Sequence, residues 1–197
     1  MISTVPVMIM FFSTLFKIEK TNIYQIIGVG LSLMGVLFII TKADIEIFKN
    51  LDFNKGDLIM LIAMFSWSIY SALLKKKKYK LSQISLLQVV IGFGVIFLLP
   101  FYFIDINMGN IIKLDKPFFL ILIYVIFFPG LISFFFWIKG VALIGANRAG
   151  VYLHLMPILG AIMAMIIFDE KIMFYHFLGA IFIVTGITLS HRKKINV

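Results

Sequence analysis

Seven stretches of this chain stay apolar for about the width of a lipid bilayer, and none carries an Asp or Glu in its apolar interior: 1–16, 23–40, 58–74, 82–103, 118–144, 147–168 and 173–190. A hydrocarbon core of ~30 Å takes about 20 residues at ~1.5 Å rise each. Lipid offers no partner to a backbone N–H or C=O, so each stretch has to be helical. The prediction is an all-α integral membrane bundle with about seven transmembrane helices. Composition matters where it removes rivals. At 62% hydrophobic and 14% charged, with mean hydropathy +1.08, the chain is neither a soluble domain nor a disordered one. The absence of cysteine excludes a disulfide-stapled scaffold. An outer-membrane barrel would alternate over ~10-residue strands. The first stretch has no basic leader region and no small-residue cleavage site, so it reads as a span and not a signal peptide.

The net charge of +9 invites a nucleic-acid reading, but the basic residues sit between the apolar runs. One alternating set of connections (17–22, 75–81, 139–148 and the tail after Ser190) holds 12 Lys and Arg, including the run Lys75–Lys78 and Lys80. The other set (41–57, 104–117, 169–172) holds 6. The positive-inside rule then puts the first set and the C-terminus in the cytoplasm, with the N-terminus outside. The cell inner membrane is the expected location, with no nucleic-acid partner.

A shift of 151 residues lays the first forty residues on the last forty without a gap. Pro6 meets Pro157, Glu19 meets Glu170, Lys20 meets Lys171, Tyr24 meets Tyr175, Gly28 meets Gly179 and Gly35 meets Gly186. Their types matter more than their number. A proline within a span frees a carbonyl and permits a kink. Paired glycines, with Ser32 and Ala180 nearby, let membrane helices approach closely. The turn at 17–22 is expected inside and its equivalent at 169–172 outside, so the helix pair occurs in opposite orientations. That is the construction of an inverted repeat. Five spans follow residue 56, the odd number such a repeat needs. If one unit begins near Gly56, its counterpart begins about 95 residues before Met1, which predicts an N-terminally truncated member of a ten-helix protein of roughly 290 residues.

The segment GANRAGVYLHLMPILGAIMAMIIFDEKIMFYHFLGAIFIVTGI, 145–187, has a small-residue turn, an Arg-Ala pair, a mid-helix proline, an acidic turn and a glycine-bearing last helix. Together with GDLIMLIAMFSWSIYSALLKK, 56–76, it resembles the EamA-like family of the drug/metabolite transporter superfamily. The resemblance implies inverted five-helix repeats that move small metabolites. Residues 1–40 would be the last two helices of a truncated first repeat, 41–55 an extracytoplasmic linker, 56–190 a complete second repeat and 191–197 a basic cytoplasmic tail. The implied partners are a small-molecule metabolite and membrane lipids, with either a second copy of the chain or the missing N-terminal portion completing the bundle. The alternative is a non-transporting membrane scaffold or an inactive fragment.

No HExxH, GxSxG, Cys nucleophile, paired carboxylate or glycine-rich phosphate loop is present, so no catalytic residue, cofactor or metal site is expected. GVGLSLMG at 28–35 lies inside a span and reads as a packing surface. The informative residues are the polar groups inside spans, which are costly there and tend to face a cavity. His154, three residues before Pro157, either faces a cavity or hydrogen-bonds between helices. It is the one histidine well inside a span, able to titrate near neutral pH. Arg148 and Tyr152 are four apart and share a face that His154 does not, and Arg148 sits where it can snorkel to the interface. Lys139 either snorkels or meets an anionic substrate. Trp67 and Tyr70, sharing a face with Ser71 and Leu74, line a cavity or belong to the core, and Trp137 and Gln88 are similar candidates. Glu19 and Glu170, at turns, are expected to cap or anchor. Pro6, Pro157, Gly28, Gly35, Gly179 and Gly186 are the structural set.

Overall fold

The computed structural model describes residues 2–44, 46, 54–76, 81–109 and 113–192. Lys49, Lys77, Lys78, Lys80, Lys193 and Lys194, which enter the orientation count, lie outside the described residues. Among the described residues there is no strand. A 3-10 turn (Ile2–Thr4) leads into α1 (Val5–Leu15), followed by α2 (Ile23–Ile40), α3 (Lys55–Leu74) and α4 (Gln83–Asn107). Next come α5 (Lys116–Val125), a π-helical segment (Ile126–Ser133) and α6 (Phe134–Ile144). α7 (Ala146–Val151), a 3-10 turn (Tyr152–Leu155), α8 (Met156–Phe168) and α9 (Phe174–Ser190) complete the chain. Among the described residues, five continuous helical runs are long and apolar enough to cross a bilayer: 23–40, 55–74, 83–107, 116–144 and 146–168. Two of the seven expected spans, 2–15 and 174–190, are shorter. The chain divides into two compact units, one of residues 1–77 with 141–197 and one of residues 78–140.

The helix starts follow from local chemistry. Asn22 opens α2 with a reciprocal box, its side chain accepting the Gln25 N–H and the Gln25 side chain accepting the Asn22 N–H. Asn54 and Asp57 do the same for α3, which therefore begins at Lys55 and not at the first apolar residue, Leu58. Ser82 caps α4 and Asp115 caps α5.

Three prolines account for the departures from α geometry. Pro157 has no N–H for the Leu153 carbonyl, and the Met156 N–H takes its place, tightening the turn to 3-10. Pro6 follows the 3-10 turn Ile2–Thr4 in the same way, and the two turns are related by the 151-residue shift. Pro129 lies within the π-helical segment, inside what the sequence predicts as one uniform span, 118–144.

In the first unit, α2 and α9 run antiparallel with their backbones in contact. A Cβ on Gly28 would stand 2.5 Å from the Gly186 carbonyl oxygen, and one on Gly35 2.5 Å from that of Gly179. The reverse holds too: Gly186 faces the Gly28 carbonyl and Gly179 the Gly35 carbonyl. Residues that match under the 151-residue shift thus exchange places across the crossing. Val29, Val36, Ile39, Val151, Ile183 and Ile187 form the core beside it, and Phe38 stacks on Phe182 at 5.6 Å. α3 packs against α1 through the edge-to-face pair Phe12–Phe65 and buries Ser68, Ser71 and Ala72.

In the second unit, α4 buries only Leu86 and Leu87, and α5 buries nothing. Helices apolar all round with their side chains on the surface suit hydrocarbon and would be insoluble in water. The fold is that of an integral membrane protein.

Candidate functional site

His154 sits on the 3-10 turn that Pro157 creates, and it is fully buried. Its Nε2 lies 2.9 Å from the Ser3 carbonyl oxygen, an acceptor, so Nε2 carries a proton and donates. Its Nδ1 lies 2.6 Å from Ser32 Oγ on α2, and Ser32 Oγ lies 3.0 Å from the Val29 carbonyl. In the neutral ring Ser32 donates its hydroxyl proton to Nδ1. In the charged ring Nδ1–H donates to Ser32, whose hydroxyl turns to Val29. Both protonation states are therefore hydrogen-bonded. Ser3 is the residue that matches His154 under the 151-residue shift, so the histidine bonds to its own counterpart.

Glu19 holds the start of the helix that carries His154. α1 ends in a Schellman turn: the Ile18 N–H donates to the Ser13 carbonyl, the Lys17 N–H to that of Thr14, and Lys17 adopts φ 53°. That turn delivers the Glu19 carboxylate to the helix beginning at Ala146. The Ala146 N–H donates to Oε1 at 2.9 Å and the Asn147 N–H to Oε2 at 3.1 Å. An anion at two unsatisfied amides also meets the positive end of the helix dipole. Gly145 is required twice over, for its φ of 90° and because a Cβ there would meet Glu19 Oε1 at 2.5 Å. Replacing Glu19 with Ala removes both bonds and should cost about 2 kcal/mol, with Glu19→Gln, which keeps one acceptor, losing less. Denaturation of the purified protein in detergent measures both, and equal losses would show that the single neutral acceptor kept in Gln contributes nothing.

The remaining sequence candidates are divided between the two units. Within the first unit, Tyr152 is exposed and its Oη lies 3.4 Å from His191 Nε2, with the rings edge-to-face. Trp67 and Tyr70 are half-buried on α3, whereas Ser71 and Leu74 on the same face are buried. Arg148 is half-buried beside the Glu19 clamp. Gln88, Trp137 and Lys139 belong to the second unit, where Gln88 and Lys139 are exposed and Trp137 half-buried. Glu170 is exposed.

A cavity of about 490 Å³ lies in the first unit, lined by Ile2, Ser3, Ile40, Asp57, Met60, Leu153, Met156 and Pro157. None of the seven predicted cavity residues lines it. Its walls are the two proline-bounded 3-10 regions, the end of α2 and the first turns of α3. From the sequence, Pro157 is a structural residue only and Asp57 one more acid in a connection. The Asn54–Asp57 capping box was the available sign that Asp57 belongs to the helix. Among the described residues no cluster of three metal-binding side chains occurs.

A sequence profile of the EamA-like transporter family matches residues 54–192. An uncharacterized transporter of Archaeoglobus fulgidus is 27% identical over 175 residues, covering 89% of this chain and 60% of that protein. The uncharacterized transporter YyaM of Bacillus subtilis is 24% identical over 166 residues, 83% of this chain and 53% of its own length. A protein of Escherichia coli named a probable amino-acid metabolite efflux pump is 23% identical over 179 residues, 87% of this chain and 59% of its length. The chain thus spans between about half and six-tenths of the length of these relatives. No solved structure matches it.

Proposed function

From the premise that the chain belongs to the EamA-like transporter family of the drug/metabolite transporter superfamily, we propose that it acts in the transport of a small metabolite across the inner membrane by alternating access, and not as an enzyme. The observation that carries the mechanism is the reciprocal crossing of α2 and α9, with Gly28 on Gly186 and Gly35 on Gly179. An exchange of matched residues across one contact is what two oppositely oriented copies of a helix pair produce, and inverted repeats are the usual basis of alternating access. In this reading residues 1–40 and 56–190 belong to the two repeats, and the C-terminus is cytoplasmic. Amino-acid metabolites, named for the Escherichia coli relative, are the first substrates to test. His154, hydrogen-bonded in either protonation state between the matched segments, is the group that would carry a coupled proton.

Single cysteines at Thr21 and at Lys171 test the geometry, since the native chain has none. A membrane-impermeant thiol reagent should label Lys171→Cys from outside intact cells and Thr21→Cys only after the membrane is opened. Labelling of both from one side would end the inverted-repeat reading. Reconstituted into liposomes with labelled amino acids, the protein should give saturable flux above protein-free vesicles, and its absence would argue against transport by this chain.

A further inference from the structure

Resting on the transport reading above, we propose that the cavity of the first unit is a binding site for an organic monocation with an apolar body, with Asp57 as its counter-charge. The size is suitable: about 490 Å³ falls within the range of small-molecule sites. Six of the eight lining residues are apolar (Ile2, Ile40, Met60, Leu153, Met156 and Pro157), which suits a hydrocarbon or aromatic body. Two of them are methionines, whose unbranched, polarizable side chains adapt to varied shapes.

The polar part of the wall sets the sign of the ligand. Asp57 is the single ionisable residue among the eight, and the other polar side chain is the Ser3 hydroxyl. Among the described residues no Lys or Arg lines the cavity, so an anion would meet a repelling carboxylate there. A cation would gain the Asp57 carboxylate as a counter-charge, with apolar side chains beside it for its body. Asp57 is also held in place. Its Oδ2 accepts the Asn54 N–H at 2.8 Å and its own N–H donates to Asn54 Oδ1 at 3.1 Å, which fixes the carboxylate at the start of α3. Leu153, Met156 and Pro157 in the lining belong to the interrupted part of the helix that carries His154. Transporter sites commonly form at such breaks, and Ser3, whose carbonyl holds His154, is part of the same lining.

Tryptamine and indole-3-propionate share a body and differ in the sign of their charge, so they separate charge recognition from apolar partition. Equilibrium dialysis of the full chain in detergent, against empty micelles, should show saturable tryptamine binding with indole-3-propionate at least tenfold weaker. Asp57→Asn keeps the capping acceptor and should weaken tryptamine at least tenfold while narrowing the gap between the two probes. Met156→Trp, which fills the cavity, should abolish binding of both, with helicity and cooperative melting retained. Unsaturable tryptamine uptake, equal binding of the two probes, or unchanged binding in Asp57→Asn would each overturn the site. Liposome flux of amino-acid metabolites without these binding effects would sink the site and leave the transport reading standing. The binding effects without any flux would do the reverse.

Discussion

Gly186→Ala is expected to separate α2 from α9 and to cost about 3 kcal/mol or more of stability, enough to remove cooperative melting from a marginal membrane protein. The added Cβ would stand 2.5 Å from the Gly28 carbonyl oxygen, 2.6 Å from the Ser32 nitrogen and 2.8 Å from the Ser32 Cβ. Two of those atoms are backbone, so no rotamer change relieves the clash and one helix must move. Moving it breaks the second contact as well, where Gly35 and Gly179 meet on the same crossing. Gly30, on α2, is the control. Nothing lies within 4 Å of its Cβ position, so Gly30→Ala should be neutral or stabilise by up to ~1 kcal/mol through helix propensity. Thermal or SDS titration of the two variants in one detergent measures the contrast. Equal shifts would mean that α2 and α9 do not meet as described.

His154→Ala should cost about 3 kcal/mol. It removes a fully buried ring and leaves the Ser3 carbonyl without the 2.9 Å donor that His154 Nε2 provides. Ser32 suffers less, because its hydroxyl already lies 3.0 Å from the Val29 carbonyl. His154→Gln restores an N–H donor in reach of Ser3 and should recover part of the loss. Gln cannot titrate, which separates packing from proton carriage. Wild-type flux in liposomes should vary with pH, and the His154→Gln profile should be flat. A profile unchanged in His154→Gln would remove the residue from proton coupling while leaving its structural role intact.

Much of the fold was legible in the sequence. The apolar stretch 23–40 is α2 residue for residue, and the other stretches match helical runs to within a few residues at most ends. The caps at Asn22, Asn54, Ser82 and Asp115 explain where several of these helices begin. The proline and glycine set was also visible, because only those residue types relieve a helix of its hydrogen bond or its side chain. The cavity was not. Asp57 carries no signal that separates a wall carboxylate from one in a solvated connection, and Met60 and Met156 are two methionines among 11. Trp67, Tyr70 and Tyr152 were chosen as polar or aromatic groups in spans, yet such groups are equally served by partners such as His191.

The sequence by itself determined how many apolar helices there are, where they start, and where prolines distort them. Those properties follow from the cost of an unpaired backbone group in hydrocarbon, which acts along a single helix. Only the tertiary structure decided that Gly28 lies on Gly186 and not on its match Gly179, that His154 reaches Ser3 and Ser32, and that Asp57 and Pro157 line one cavity. In lipid an apolar face gains little by leaving one apolar neighbour for another, so no hydrophobic stripe announces which faces pair. Pairing is settled by contacts a few ångströms long, between residues up to 170 positions apart.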